Sequence, residues 1–262
     1  MIKRVLLILL IVAVFLFPLI VLVFYTFAPG WSYPDLIPKI LHTGGLQYVW
    51  SQHEKILRSL LTSFVYSLLV ILCTFLISIF PASVFARSDF RAKKFLESLA
   101  LAPALVPAIT FSVGIHYLFI KTGISDSLLG VVLVLSIFSY PYMLRSLTSG
   151  FLAFGVEYEV CARNLGAGIL QRLFMVDLPL LLPSIVAGST VVFLVAFSEY
   201  FLVFLIGGGS VESYTGYLFP FLNSSDRAVA SLLTLIFMVI PILLFFLVDE
   251  TVTLVYRKRG ML

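Results

Sequence analysis

The sequence predicts an all-α membrane protein with about six transmembrane helices and both termini in the cytoplasm. Three observations predict it. Of 262 residues, 61% are hydrophobic and 11% charged, against about 25% charged in an average soluble domain. One water-soluble core cannot hide that much apolar surface, so a soluble enzyme is excluded. The apolar residues fall into six runs, and a bilayer-spanning helix needs about 20 of them in succession. Finally, the basic residues divide unequally between alternate loops. Lys3, Arg4, Arg87, Arg91, Lys93, Lys94, Arg145, Arg163, Arg172, Arg257, Lys258 and Arg259 fall on one side; Lys39, Lys55, Arg58, Lys121 and Arg227 fall on the other. The side richer in Lys and Arg is the cytoplasmic one. The net charge of +4 thus reports orientation, and nucleic acid is not an expected partner.

Taken in order, the spans run over about 5–27, 60–86, 95–120, 128–144, 178–205 and 228–248, all within a single transmembrane domain, 1–262. The first follows Lys3 and Arg4 as a secretory signal would. It is about twice the usual signal length and has no small-x-small site before Pro29, so it reads as an uncleaved span. An outer segment, 28–59, carries Trp31, Pro34, Pro38, Gly44, Gly45 and Trp50, a mixture that suits aromatic anchoring at the interface. Prolines 18, 81, 103, 107, 141 and 241 interrupt the spans. Such residues kink helices but are tolerated where neighbours or water satisfy the freed carbonyls. A second outer loop, 206–227, opens with Gly207-Gly208-Gly209, and the sizeable cytoplasmic loop is 145–177.

The chemistry that is missing narrows the function. No Gly-x-x-x-x-Gly-Lys-Ser/Thr phosphate cradle occurs, so the chain is not expected to hydrolyse ATP. Ionisable residues deep in the spans reduce to Glu199 and His116, too few for a proton relay. His116 stands without a second ligand at metal-binding spacing. Cys73 and Cys161 are too few and too differently placed for a disulfide framework or a zinc site. No metal or resident cofactor is expected. Glu199, with Tyr200 beside it, lies about 30 Å along its helix from Pro179, near the outer leaflet or a cavity mouth. Two readings stay open: it lines a solute path, or it is an interfacial acid satisfied by a backbone group.

The cytoplasmic loop is the most informative stretch. It reads Glu157-Tyr158-Glu159-Val160-Cys161-Ala162-Arg163-Asn164-Leu165-Gly166 and later Val176-Asp177-Leu178-Pro179. Residues 157–165 predict a short amphipathic helix with Glu157 and Glu159 in its first turn, where the helix dipole favours acids. Glu159 and Arg163 are spaced to pair on the exposed face. Cys161 and Ala162 form a small-residue knob that a partner surface can approach, and Gly166 is a helix stop. A second amphipathic stretch (Ile169, Leu170, Leu173, Phe174) leads to Pro179.

This segment resembles the cytoplasmic signature loop of permease subunits in binding-protein-dependent ABC importers. That pattern is Glu-Ala-Ala, three residues, Gly, nine residues, then Ile-x-Leu-Pro. Gly166 follows Ala162 after three residues, and nine more separate it from Val176-x-Leu178-Pro179. The chain departs at the start, where Val160 replaces Glu and Cys161 the first Ala; Glu159 then supplies the acid.

The resemblance implies a type I importer transmembrane domain in a bacterial or archaeal cytoplasmic membrane. It implies as partners two ATPase subunits holding ATP and Mg, a second permease chain, identical or different, an extracytoplasmic solute-binding protein, and lipid. Glu157, Glu159, Val160, Cys161, Ala162, Arg163, Gly166, Leu178 and Pro179 would form the ATPase-coupling site, and Glu199 and Tyr200 the candidate solute path. The runs 31–38, 198–209 and 223–228 are similar to permeases of the polyamine, thiamine and iron(III) group, and one carboxylate near the path favours a small cation. The alternative of a different class is a self-sufficient ion-coupled carrier or channel, which would move solute without ATPase partners.

Overall fold

In a computed structural model of the protein, residues 2–31, 35, 37, 38 and 41–258 are described, the side chains of residues 2, 3, 249 and 251–258 excepted. Residues 32–34, 36 and 39–40 of the first outer segment, and the topology charges Lys3, Arg257, Lys258 and Arg259, therefore lie outside what can be compared. The regular elements among the described residues are all helices, with no strand. The helices are α1 (Ile2–Phe27), α2 (Gly44–Ser51), α3 (His53–Arg87), α4 (Lys93–Leu101), α5 (Ala108–Thr122), α6 (Leu128–Phe154), α7 (Glu157–Asn164), α8 (Ile169–Arg172), α9 (Leu178–Ser198), α10 (Phe201–Gly207), α11 (Tyr214–Leu222) and α12 (Arg227–Lys258). By their contacts the residues group into two compact units: Met1–Leu60 with Tyr214–Leu247, and Leu61–Ser213 with Val248–Leu262.

Five helical stretches are long and apolar enough to cross a bilayer: Arg4–Phe27, His53–Arg87, Leu128–Phe154, Ile169–Ser198 and Arg227–Val248. They match five predicted spans. The predicted third span, 95–120, is corrected: it is two segments, Lys93–Ala104 and Ala108–Thr122, bent by 92°. The cause is local. Pro103 lies in a short 3-10 turn, Ala102–Ala104, and Pro107 (φ −56°, ψ 128°) leaves the helical region and caps α5, neither proline having an N–H with which to carry a regular helix on. The predicted fifth span, 178–205, breaks at Glu199 and begins earlier, at Ile169.

In the first unit, Ile56, Tyr214, Leu218, Val229 and Leu233 form the core. The Tyr214 hydroxyl donates to the Leu233 carbonyl at 2.6 Å; burial, with Tyr217 nearby, raises its pKa, so it remains a donor at neutral pH. Gly45 lies against Ala228, where an added Cβ would stand 3.3 Å from its backbone. Trp31 packs edge-on to Phe24 at 5.7 Å and donates from Nε1 to the Asp35 carbonyl at 2.8 Å. Arg227 reaches the Trp31 carbonyl at 3.3 Å and lies over Tyr25.

In the second unit, α6 and α9 form the most extensive helix pair. Small residues permit it. A Cβ at Gly150 would overlap the Ser184 side chain, and one at Gly188 would stand 2.9 Å from Met143 Sδ. Around this seam Met143, Leu147, Leu181 and Val192 are fully buried. Helix α6 runs ten residues past the predicted end of its span, to Phe154. Within the segment 145–177, residues 145–154 thus continue α6, and α7 and α8 follow; Arg145 is inside a helix.

Candidate functional site

The segment after α6 is built by its own sequence. Gly155 ends α6, its N–H donating to the Phe151 carbonyl at 3.2 Å. Helix α7 then occupies Glu157–Asn164, with both acids in its first turn as predicted. It closes with two bonds: the Gly166 N–H to the Arg163 carbonyl, and the Ala167 N–H to the Ala162 carbonyl, each at 3.0 Å. This is a Schellman end, and Gly166 supplies the left-handed residue it requires, at φ +83°. Nothing lies within 4 Å of where a Gly166 Cβ would be. The requirement for glycine is therefore conformational, not steric.

After α8 the chain makes one wide π turn over Leu173–Asp177, in which the Leu178 N–H reaches back five residues to the Leu173 carbonyl. Pro179 accounts for it. Its missing N–H and its ring cannot coexist with a regular turn onto Met175, and single π turns absorb such misfits within α-helices. Leu178 and Pro179 thus sit in a continuous helical path from α8 into α9, both half-buried.

The side chains of this segment divide into an inner and an outer set. Inside, Arg87 at the end of α3 donates to Asp177 Oδ1 at 2.7 Å and pairs with Glu159 Oε2 at 2.9 Å. Glu159 Oε1 takes Arg172 at 2.5 Å. The Arg87 side chain is 10% exposed and that of Asp177 11%. The Arg87 guanidinium also lies 4.5 Å from the Phe151 ring centroid and 5.5 Å from that of Phe154, a cation–π contact on two faces. A cavity of about 120 Å³ adjoins the cluster, bounded also by Ser83 and Ile169. Two cations and two carboxylates balance, and four helical elements meet on them.

The predicted Glu159–Arg163 pair is corrected: Glu159 turns inward to Arg87 and Arg172, leaving Arg163 exposed. A half-buried acid within reach of two guanidinium groups gains more than a surface partner one turn away offers. Arg87, Arg172 and Asp177 were missed as site residues. Only a topology count marked the arginines, and no sequence signal tells an interfacial arginine from a buried one 90 residues away from its partner.

Outside, Glu157, Val160, Cys161, Arg163 and Gly166 are exposed and Ala162 is half-buried. Around this knob stand Tyr158, Leu165, Ile169, Leu170, Phe174 and Met175, all more than half exposed, Leu165 at 83%. A short helix with a small-residue crest and an apolar surround can seat in a groove of another protein.

Glu199 and Tyr200 lie elsewhere, at the break between α9 and α10. Glu199 leaves the helical region (ψ 120°), and its Oε1 accepts the Leu202 N–H at 3.1 Å, the geometry of a helix N-cap. Tyr200 stacks on Phe204 at 5.7 Å. This supports the second reading of Glu199, an acid satisfied by backbone. No group of three or more metal-ligating side chains occurs among the described residues.

Residues 75–258 match the family model described as binding-protein-dependent transport system inner membrane component. The chain is 31% identical over 123 residues to the molybdate/tungstate transport system permease protein of Pyrococcus abyssi, covering 47% of this chain and 49% of that one. It is 33% identical over 142 residues to the molybdenum transport system permease protein of Mycobacterium tuberculosis, covering 50% and 53%. The chain thus spans about half the length of these curated relatives. The fold is that of a chain in the crystal structure of a bacterial ABC transporter involved in the import of the acidic polysaccharide alginate, with TM-score 0.72, 15% identity and 95% of each chain covered. A family match over more than half of the residues, on a helical membrane fold with this cytoplasmic loop, makes the chain a permease of the binding-protein-dependent ABC importers, an inner-membrane protein.

Proposed function

We propose that this permease carries a tetrahedral oxyanion of the molybdate or tungstate type inward, driven by ATP hydrolysis in separate subunits. Two ATPase subunits, holding ATP and Mg, engage α7. A second permease chain completes the path, and an extracytoplasmic binding protein delivers the solute. The names of the relatives support the oxyanion. The polyamine, thiamine or other small cation suggested by the sequence drew on the runs 31–38, 198–209 and 223–228 and on Glu199; the relatives named above do not favour it, and the Glu199 carboxylate accepts the Leu202 N–H.

The observation that carries the coupling role is the division of the loop into a free outer face and an inner face bound to α3, α6 and α9. Force applied to the Cys161–Ala162 crest enters through α7. The Glu159–Arg87–Asp177 links pass it to the ends of α3 and α9, and the Phe151 and Phe154 rings pass it to α6. Paired, caged charges have few alternative arrangements, so the segment moves with the spans as a body and leaves them no slack. ATP binding elsewhere then biases a two-state equilibrium of the helices.

The test uses the assembled complex in proteoliposomes, with Cys73→Ser leaving Cys161 as the sole permease thiol. A bifunctional maleimide should join Cys161 to a cysteine placed in the ATPase groove, and tungstate uptake should require ATP and the binding protein. Uptake by the permease alone, or labelling of Cys161 by an impermeant reagent from the outer face, would overturn the reading.

A further inference from the structure

Arg145 occupies an unusual place. It lies about 26 Å along α6 from Leu128 and about 14 Å short of Phe154, within a helix apolar enough to span the membrane. Its side chain is exposed, and it has no ion pair or hydrogen bond among the described residues. An arginine on a helix this apolar is retained where it faces water or a ligand.

What it faces is a groove between α6 and α9 of about 590 Å³, which Arg145 lines with Tyr142, Ser146, Ser149, Ser184 and Gly188. The groove has room because Ala187 and Gly188 present almost no side chain. Its polar lining is biased to donors. Ser149 and Ser184 have hydroxyls without a partner among the described residues, whereas Ser146 gives its proton to the Ser184 carbonyl at 2.7 Å. No carboxylate lines it. One fixed positive charge with neutral O–H donors suits an oxyanion and repels a cation.

A second cavity, about 260 Å³, adjoins on the other side of Arg145 and Ser149, and Glu97 lines it. Glu97 makes no ion pair with Arg145. It is the carboxylate that shares this second cavity with the guanidinium. A conducting site must bind weakly enough to release.

We propose that this groove is the anion-handling stretch of the translocation path, with Arg145 as the compensating charge and Ser149 and Ser184 as hydroxyl donors. The proposal rests on the oxyanion reading above and names the residues that would serve it. The same chemistry fits the phosphate of an anionic lipid, and the experiment separates the two sources.

In the full complex, reconstituted in phosphatidylcholine, Arg145→Gln should lower ATP-driven tungstate uptake about tenfold or more. Arg145→Lys should keep a substantial part, because charge outweighs fork geometry for a passing ion. ATPase activity stimulated by the binding protein should survive in both. Independently, Ser149→Cys in a Cys73→Ser, Cys161→Ser background should react faster with an anionic than with a cationic methanethiosulfonate. That preference should vanish with Arg145→Gln, and tungstate should protect the thiol.

Unchanged uptake in Arg145→Gln, or no charge preference at Ser149→Cys, overturns the proposal. Protection by phosphatidylglycerol vesicles but not by tungstate overturns it in favour of a lipid headgroup site. Wild-type complex that imports neither tungstate nor molybdate refutes the oxyanion solute instead, and the labelling preference still decides whether the groove handles anions.

Discussion

Arg87 and Arg145 are counted alike in the sequence, as basic residues on the cytoplasmic side, and the fold gives them opposite surroundings. Arg87 is buried, bound to two carboxylates and covered by two phenylalanine rings. Arg145 stands open in a groove beside hydroxyls. A charge whose partners are all internal holds elements together, and a charge without an internal partner is available to something that arrives. On the readings proposed above, the loop between Gly155 and Asp177 is the mechanical part of the second unit and the α6–α9 groove the chemical one.

The contrast breaks most readily at Arg87. Arg87→Gln leaves Glu159 and Asp177 without their shared cation, and losing one partner of a buried pair costs about 3–5 kcal/mol. Thermal unfolding in detergent should shift down accordingly. ATP-driven transport should disappear even in preparations that still assemble. An unshifted transition would show that the cluster does not bind the loop to α3.

Gly166→Val has a smaller effect. A β-branched residue at φ +83° costs about 1–3 kcal/mol, confined to the end of α7. Uptake should fall severalfold while ATP hydrolysis continues, because the crest is misplaced and not removed. Gly166→Asn, which tolerates the left-handed region, should recover most of the transport, and equal defects in both variants would contradict a conformational role.

The smallest effect is expected at Glu199. Gln keeps an oxygen for the Leu202 N–H, so Glu199→Gln should leave uptake within about a factor of two, whereas Glu199→Ala forfeits a cap worth about 1 kcal/mol. Altered selectivity in the Gln variant would restore the carboxylate to the solute path.

Much of this was legible before any coordinates. The apolar runs, the end of the loop helix at Gly166 and the spacing from Ala162 to Pro179 are local properties, fixed by residues within a turn or two of each other. The 92° break at 105–107 was half legible: the prolines were visible, yet prolines at 18, 81, 141 and 241 sit inside helices that continue. Whether neighbours satisfy the freed carbonyls decides which proline breaks a helix. The inward turn of Glu159 was hidden for a similar reason. Its neighbour Arg163 was the local partner on offer, and the partners it takes are on α3 and α8.

By itself, then, the chain's order of residues determined the class, the loop helix and its glycine stop, since hydropathy and turn chemistry act over short distances. Only the tertiary structure decided which arginine is buried and which is open, and which acid is a cap. Those outcomes depend on which helix faces are brought together across tens of residues, and the small-residue seam of Gly150 and Gly188 between α6 and α9 is what brings them there.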